Sequence, residues 1–547
     1  PYSVSEQGSI LVRLHVPSGL RGTPMPQRII QSIVGGIHRH ELEKVCQSYS
    51  LNMFPESVSA DQSVTDKVLL SIKGNELAAH IGEGPCRGMY RASRGADGKP
   101  ILFGCWGSGV YVIRNTANGF TSRRIGQVSN ALGEPVHFAE TGGEGSSHPH
   151  LIVVDGASVF AVDTTLGDSY MQQDWRSIQL PTRVGDETHT QLIRPTHVAY
   201  LYGYLIVNDA DTDAFYTSVQ YPFETLDSNN QVIYDIFYAD RNSKYNGYGF
   251  VTYSEWNPDN TIALISNGSY LYTFGTRSMQ CFSFRDDINK PFVSPDNAAE
   301  AIGIKAPESL AACGPYTAWL GASDIGNNGV FVMQGNEKQR VSTISIEREI
   351  SKMSYPEDAV GQFWSENNHL FYGITFRTDK RTLVYDVTEQ EWHARESYEY
   401  GIWRPQYATF AYNKLFFGAM DSDVLVYQDN DKYTEWDGNC IVRLRRGGAI
   451  YNDNSPFYCD AISLNLNNGK INNDTLDPAI MMRYSTDGND WTDKELGSLG
   501  AIGNYSHTTT WWNLGMCRYM TIEVSCSDPV DFAIISAKIN ASPCNIF

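Results

Sequence analysis

The sequence has no long apolar run and little cysteine. No stretch of its 547 residues approaches eighteen consecutive apolar residues, so neither a membrane-spanning helix nor direct insertion into a membrane is predicted. The ten cysteines form no C-x-x-C pair, which excludes a disulfide scaffold and the usual zinc spacing. The first residues show no secretion signal. We therefore expect buried, reduced thiols and folding in a cytoplasm.

Positive charge is also scarce. The chain has 42 lysines and arginines against 62 aspartates and glutamates, a formal charge of −20. Such a chain should repel nucleic acid. Two basic spots, Arg123-Arg124 and Arg443/Arg445/Arg446, are too small and too separate for a DNA footprint. We expect these arginines on solvated surface or in subunit contacts.

Short apolar strands and turn residues are abundant. The phrase "NKLFFGAMDSDVLVYQD" (413–429) contains two β-branched or aromatic runs separated by Gly and acidic residues, the pattern of two antiparallel strands. Similar phrases occur at 100–115, 149–163, 196–209, 260–275, 314–335 and 361–376. Their marker positions are Val110, Val159, Leu205, Leu271, Val330, Leu370 and Leu415, with spacings of 49, 46, 66, 59, 40 and 45 residues.

This period is typical of propeller blades. The sequence predicts an all-β protein with a six- or seven-bladed β-propeller over 67–437. We attribute the two long intervals to an insertion at about 221–250 and a Pro- and Asp-rich loop at 285–310. The alternative is a set of unrelated hairpins in stacked sandwiches.

Two segments flank the repeats. Residues 1–66 are predicted to form an N-terminal docking arm, with helical spacing of apolar residues over 29–46. The repeat is lost after Gly438, and 438–547 is predicted to be a separate C-terminal β-sandwich. A short helix is expected within 344–353.

Each candidate for chemistry fails at a required position. Ser485, Asp487, Gly488 and Trp491 resemble a sialidase Asp-box that is one residue too short, and even an intact box is a hairpin turn. "DADTD" (209–213) alternates carboxylates like a calcium loop, but Ala214 and Gln220 replace the required Gly and Glu.

The other candidates are equally weak. "HRH" (38–40) and "HPH" (148–150) offer imidazoles without a third ligand, so surface histidines are expected. "GEGPCRG" (82–88) has one residue too many for a dinucleotide loop and opens no helix. Glu389 and Glu391 could be a glycosidase pair, but proximity does not discriminate in so acidic a chain. We predict no enzyme activity and no catalytic, cofactor-binding or metal-binding residues.

Several phrases, taken together, resemble the tail hub proteins of short-tailed bacteriophages, also called tail nozzle or packaged-DNA stabilisation proteins. The resemblance covers about 450 residues in colinear order. It departs at the 221–250 insertion and in residues 1–45. The phrases that carry it are "SYSLNMFPES" (48–57), "RPTHVAYLYGYLIVNDADTDAFYTS" (194–218), "NGSYLYTFGTRSMQCF" (267–282), "AACGPYTAWLGASDIGNNGVFVMQGNEKQRVST" (311–343), "LVYDVTEQEWHARES" (383–397) and residues 481–530.

The resemblance implies a hexameric ring in the virion tail, assembled in the host cytoplasm. It would bind the portal or a head-to-tail adaptor ring, tail fibres or tailspikes, and a needle or plug protein. The ring would close the channel after packaging and let the genome pass without specific binding. The family offers no catalytic residues or cofactor. The alternative from another class is a propeller glycosidase or sialidase, or a carbohydrate-binding adhesin.

Overall fold

A computed structural model describes most of residues 27–544. The described range is interrupted at 32, 42–45, 59–64, 130–132, 143–148, 167–168, 170–173, 179, 181, 184–190, 221–235, 238–249, 255, 258, 288–289, 296–297, 323–327, 453–454, 468–476 and 502. The predicted insertion at 221–250 therefore lies almost wholly outside the described residues, and so does His148 of the second histidine pair.

Strands make up 55% of the structure and helices only 4%, which confirms the predicted all-β class. Six strands precede the first repeat: β1 (Gln27–Gln31), β2 (His38–Arg39), β3 (Gln47–Leu51), β4 (Met53–Ser57), β5 (Lys67–Ser71) and β6 (Gly74–His80).

The repeats form small antiparallel sheets, and most of these are built only from strands consecutive in sequence. Blade 1 contains β7 (Cys86–Ala92), β8 (Ile101–Trp106), β9 (Gly109–Thr116) and β10 (Gly119–Gln127). Blade 2 contains β11 (His137–Glu140), β12 (His150–Val154), β13 (Val159–Asp163) and β14 (Arg176–Ile178), followed by the paired β15 (Thr182–Arg183) and β16 (Gln191–Leu192). Blade 3 contains β17 (Val198–Leu201), β18 (Tyr204–Asn208), β19 (Ala214–Gln220) and β20 (Phe250–Tyr253).

Blades 4 and 5 each carry one extra short strand. Blade 4 contains β21 (Ala263–Asn267), β22 (Tyr270–Phe274), β23 (Met279–Phe284), β24 (Phe292–Val293) and β25 (Ala299–Glu300). Blade 5 contains β26 (Gly303–Ile304), β27 (Ala311–Cys313), β28 (Tyr316–Ala322), β29 (Gly329–Gln334) and β30 (Glu337–Arg340).

The helix α1 (Ile344–Ser351) follows blade 5 and confirms the predicted short helix. At the start of α1, the side chain of Thr343 accepts a hydrogen bond from the backbone amide of Ile346. Ile346 and Ile350 are buried. Blade 6 contains β31 (Val360–Glu366), β32 (His369–Phe376), β33 (Arg381–Asp386) and β34 (Glu391–Arg395). Blade 7 contains β35 (Pro405–Ala411), β36 (Lys414–Ala419) and β37 (Val424–Asp429).

The seven blades close into a ring. Neighbouring first strands contact each other from β7 through β11, β17, β21, β27 and β31 to β35, and β35 contacts β7 again. The fourth strand of blade 7 is β6, which precedes blade 1 in the sequence and pairs with β37 from Gly74↔Asp429 to His80↔Val424. The propeller is therefore closed by hydrogen bonds between its two chain ends.

An apolar cluster fills each boundary between neighbouring blades. Phe103 of blade 1 packs with Val153 of blade 2, for example, and Phe416 of blade 7 packs with Trp106 of blade 1. Because both faces of each sheet are covered, second strands such as "ILFGCW" are apolar on successive residues instead of alternating. This explains why the repeats appear in the sequence as short continuous apolar runs.

The seven phrases mark different strands. Those at 196–209, 260–275 and 361–376 cover first and second strands, and the other four cover second and third strands. The 59-residue interval between Leu271 and Val330 thus runs from a second to a third strand. The segment 285–310 is not a single loop, since it supplies β24, β25 and β26.

The C-terminal strands form two sheets around one further core. They are β38 (Arg443–Arg446), β39 (Ile450–Tyr451), β40 (Phe457–Leu466), β41 (Ala479–Ser485), β42 (Glu495–Ser498), β43 (Thr509–Cys517), β44 (Tyr519–Cys526) and β45 (Ala533–Pro543). One sheet has the order β4-β5-β45-β40-β43 with β1 paired to β45, and the other continues blade 6 as β34-β3-β38-β44-β41-β42.

The N-terminal strands thus belong to the C-terminal sheets. Ile33, Met53 and Leu69 lie in the same core as the C-terminal strands. The helical spacing over 29–46 does not produce a helix in the described residues, which contain β1 and β2 instead. Gly36 passes so close to Trp392 that a Cβ would lie 2.6 Å from the Trp392 carbonyl oxygen. The predicted division into residues 1–66, 67–437 and 438–547 stays a prediction. Strand pairing nevertheless joins the first of these segments to the third, through β1 with β45 and β3 with β38.

Two expectations about composition can be compared with the structure. All ten cysteines are free, and five of them are buried: Cys86, Cys105, Cys459, Cys517 and Cys526. In the part of the chain that the structure describes, no helix is long and apolar enough to cross a membrane.

Candidate functional site

The first strands of the blades surround a cavity on the propeller axis. Its volume is about 350 Å³, and blades 1 to 5 line it with residues that include Tyr90, Glu140, Tyr200, Ser266 and Ala312. Because all first strands run in the same direction along the axis, residues at their starts lie together at one end of the cavity.

A polar cluster, the axial triad of His137, His197 and Glu308, lies at that end. His137 is the first residue of β11, His197 immediately precedes β17, and Glu308 is in a short 3-10 turn before β27. His137 Nε2 lies 2.9 Å from Glu308 Oε2, and the two imidazole centroids are 4.1 Å apart. One ring nitrogen of each histidine and one Glu308 oxygen all lie within 4.8 Å of one another.

The charges of the triad are set by burial and by its neighbours. Burial lowers the pKa of His197 to about 3, and the adjacent His137 acts in the same direction. Burial alone would raise the pKa of Glu308, but the contact with His137 and the nearby His197 and Arg377 lower it to about 2. At neutral pH the triad therefore contains a neutral His197 beside an ionised Glu308.

Arg377 extends the cluster toward blade 7. Its Nη2 donates to Tyr407 Oη at 2.7 Å and to Gln406 Oε1 at 3.2 Å. The electrostatic effect of Tyr407 is the largest cause that raises the pKa of Arg377, and Glu308 adds to it. Cys86 lies near this cation, but burial raises its pKa, so the thiol stays protonated and is a poor nucleophile.

The Asp-box-like residues form a turn between β41 and β42. Ser485 Oγ donates to Asp487 Oδ1 and accepts from the Gly488 amide. Asp487 Oδ1 accepts amide hydrogens from Asn489 and Asp490, which lower the pKa of the exposed carboxyl. The motif orders a hairpin in the C-terminal sheets.

The alternating carboxylates at 209–213 also order a turn. Asp209 is fully buried between β18 and β19 and accepts hydrogen bonds from the Arg194 amide and the Thr212 hydroxyl. Asp211 faces Arg194 Nη1 at 3.6 Å. These carboxylates contact protein groups and do not converge on a common point.

The glutamate pair on blade 6 holds the N-terminal segment. Glu389 accepts hydrogen bonds from the amide and hydroxyl of Ser57 at 2.9 and 2.6 Å. Glu391 pairs with Lys67 and with His38 of the first histidine pair. Both carboxylates therefore have structural partners. The glycine-rich segment at 82–88 is a separate case: Gly82–Gly84 form a bend that leads into β7.

The basic spot on β38 is buried, so its expected place on solvated surface is wrong. Arg443 is fully buried and donates to the carbonyl oxygens of Asp528 and Tyr433. Arg445 is 2% exposed, and Arg446 pairs with the buried Glu523. The reason is that β38 is a central strand, between β3 and β44, and that the backbone of Tyr433, Ile33 and Gly36 packs against the arginine side chains.

Sequence reasoning missed the axial triad. Its three residues come from three blades and are 60 and 111 positions apart. The sequence signal that could have found them is their shared position: each residue lies at, or just before, the start of the strand that lines the axis in its blade. His197 lies inside the quoted phrase 194–218, but nothing in the sequence aligned it with Glu308.

Comparisons with known proteins give one family. Residues 31–433 match the model of a phage-stabilisation family described as bacteriophage P22 Gp10, β-propeller. The match covers about three quarters of the chain and every blade. No curated protein matches the sequence.

Similar solved structures share little sequence with this chain. The AfRom2 CNH domain has 8% identity and a TM-score of 0.36, with 65% of this chain and 99% of that chain covered. The extracellular domain of a putative one-component system from B. thetaiotaomicron has 12% identity and a TM-score of 0.39, with 87% and 60% covered. The designed protein Ika8 has 10% identity and a TM-score of 0.33, with 73% and 100% covered.

Proposed function

The chain belongs to the phage-stabilisation family of the bacteriophage P22 Gp10 β-propeller, and from this we propose that it forms the tail hub or nozzle of a short-tailed phage. Members of this family are structural phage proteins that stabilise packaged DNA, and they are not enzymes. The match over residues 31–433 carries the proposal, because it includes all the strands that close the propeller.

The proposed assembly is a hexameric ring in the virion tail, built in the host cytoplasm. One face binds the portal or a head-to-tail adaptor ring, and other surfaces bind tail fibres or tailspikes and a needle or plug protein. The ring closes the channel after packaging and conducts the genome during ejection. The charge of −20 on each chain supports a conduit that does not grip DNA.

The glycosidase or sialidase alternative gains no support from the site geometry. The Asp-box-like residues form a hairpin turn, and Glu389 and Glu391 bind the N-terminal segment. A turnover assay on sialyl and other glycosidic substrates tests this alternative. Activity abolished by one carboxylate substitution would establish an enzyme and overturn the structural role.

The ring is tested by native mass spectrometry and negative-stain microscopy of the purified chain, alone and with portal–adaptor assemblies. We expect a species of about 367 kDa, six times the 61.1 kDa chain, seen as rings about 100–200 Å across. Monomers under both conditions would overturn the hexameric hub.

A further inference from the structure

We propose that the axial triad of His137, His197 and Glu308 binds one divalent transition-metal ion, with Zn²⁺ as the fitting ion. Among the residues that the structure describes, this is the one group of three histidine, cysteine or acidic side chains whose ligand atoms converge. The site goes beyond the structural role proposed above and differs from the sequence-based expectation of no metal.

The first argument is the tautomer of His197 that the hydrogen bonds of its neighbours support. Asn208 Oδ1 accepts the backbone amides of Thr196 and His197 at 3.0 and 2.8 Å, so the Asn208 amide nitrogen must be the donor on the other side. That nitrogen donates to Thr196 Oγ1 at 2.8 Å and to the Thr261 carbonyl oxygen.

Thr196 has a single hydroxyl hydrogen, and Oγ1 is placed to donate it to the Ile262 carbonyl oxygen at 3.2 Å. When that hydrogen goes to Ile262, Oγ1 accepts from His197 Nδ1, which lies 3.0 Å away. Nδ1 carries the hydrogen, and the lone pair is on Nε2. A hydrogen bond that holds one ring nitrogen protonated is the usual support for a histidine that binds a metal through the other nitrogen.

The second argument is that this Nε2 has no hydrogen-bond partner among the described residues, although His197 is only 3% exposed. The Pro307 carbonyl lies close enough to favour a protonated ring, but its geometry does not meet that of a hydrogen bond with Nε2. A buried polar atom without a partner is costly unless a ligand satisfies it. A metal ion at the triad would accept this lone pair.

The third argument is the donor set. Two imidazole nitrogens and one carboxylate oxygen suit Zn²⁺ and related first-row ions, whereas Ca²⁺ and Mg²⁺ prefer oxygen ligands throughout. His137 and His197 also line the axial cavity of about 350 Å³, which leaves room for a water molecule at a fourth position.

Binding must displace one existing contact. His137 Nε2 is 2.9 Å from Glu308 Oε2, and a metal bound between them replaces that hydrogen bond, so a hydrogen on Nε2 must move to Nδ1 or pass to solvent. The positive charge of Arg377 lies near Glu308 and opposes the binding of a metal cation at the triad. Asp358 is the anion beside Arg377. Glu308 is the carboxylate ligand of the set, with Oε2 on the side that faces His137.

The test is isothermal titration of ZnCl₂ into the tag-free, chelator-treated full chain. We expect one Zn²⁺ per chain, and we expect His197→Gln and Glu308→Gln each to weaken binding by at least about tenfold. The matched control is His80→Gln, which removes an exposed histidine that also faces a carboxylate, Asp423, and should leave binding unchanged. Equal loss in the control, or no loss in the triad variants, would overturn the site.

Two further measurements keep the test decisive if His197→Gln does not fold. His137→Gln removes a less buried ligand and should also abolish stoichiometric binding. X-ray absorption of the zinc-loaded wild-type chain should show two nitrogen ligands from imidazole with oxygen completing the shell. A shell without imidazole, or fewer than one bound ion per chain in the wild type, would refute the proposal.

Discussion

Buried arginines hold distant parts of this chain together. Arg445 donates from Nε to the Ile33 carbonyl at 2.6 Å, from Nη1 to the Gly36 carbonyl at 3.0 Å and from Nη2 to Ser48 Oγ at 2.9 Å. Burial lowers its pKa to about 10, so it remains charged at neutral pH. One β38 side chain therefore anchors the turn between β1 and β3.

We expect Arg445→Met to destabilise the protein by about 3 kcal/mol, because two buried carbonyls and a hydroxyl lose their donor. The measurement is urea unfolding followed by tryptophan fluorescence. Arg91→Met, on the exposed side of β7, is the control and should change stability by less than about 0.5 kcal/mol. Similar effects of the two substitutions would show that Arg445 does not anchor this turn.

A second buried residue links stability to pH. Glu435 is 4% exposed, and burial raises its pKa to about 7, with Asp437 and Asp421 acting in the same direction against Arg404. The folded state therefore prefers the protonated carboxyl. The protonated Glu435 carboxyl therefore stabilises the folded state. This contribution is fully present below the ordinary pKa of a glutamate and is lost as pH rises through about 7.

We expect Glu435→Gln to gain stability relative to the wild type as pH rises from 5 to 8, by up to about 3 kcal/mol. The glutamine stays neutral, whereas the wild-type carboxylate must ionise in a buried position. Thermal unfolding of both proteins across this range gives the difference. A difference that is constant with pH, or that shrinks as pH rises, would contradict the assignment.

At the scale of elements, β6 decides whether the propeller is closed. Gly74, its first residue, donates its amide hydrogen to the Lys432 carbonyl at 2.8 Å. A Cβ at Gly74 would lie 2.2 Å from the Thr434 carbonyl oxygen and 2.9 Å from its nitrogen. The backbone after β37 can pass this close because position 74 has no side chain.

We expect Gly74→Ala to loosen the closure and to destabilise the protein by about 1–3 kcal/mol, since backbone atoms must move to admit the methyl group. Hydrogen exchange of the β6 and β37 amides should report the change first. Gly448→Ala is the control, because a Cβ there meets nothing within 4 Å. Unchanged protection of both strands in Gly74→Ala would show that β6 does not carry the closure.

At the scale of the whole molecule, we expect negative charge to govern contact with DNA. In the proposed hexamer, six chains at −20 each would carry about −120, and the field in a narrow lumen with low-dielectric walls would be focused along the axis. The burial of Arg443 and Arg445 removes two of the few cations that such a wall could have offered.

We expect no measurable affinity for duplex DNA at physiological salt and weak binding at most at very low salt, because few cations can release the counterions of DNA. Fluorescence anisotropy with labelled duplex at several salt concentrations measures this. Binding below one micromolar that weakens steeply with salt would replace the low-adhesion conduit with a DNA clamp.

The sequence predicted repeated units well and their connections poorly. The Gly, Asn and Asp turns and the apolar strands of the seven phrases located strands in every blade. Periodicity is a local property, so it could not assign β6 to blade 7 or β3 to a place between β34 and β38. The helical spacing at 29–46 misled for the same reason, because tertiary pairing outweighs local propensity.

The sequence by itself determined the all-β class, the blade period, the acidic balance and the absence of complete catalytic motifs, since each depends on composition or neighbouring residues. Only the tertiary structure decided which strand closes the ring, that Arg443 and Arg445 are buried, and that His137, His197 and Glu308 meet on the axis. The physical reason is closure: a ring of sheets brings strand starts from different blades to one axis, and spacing along the chain does not encode that convergence.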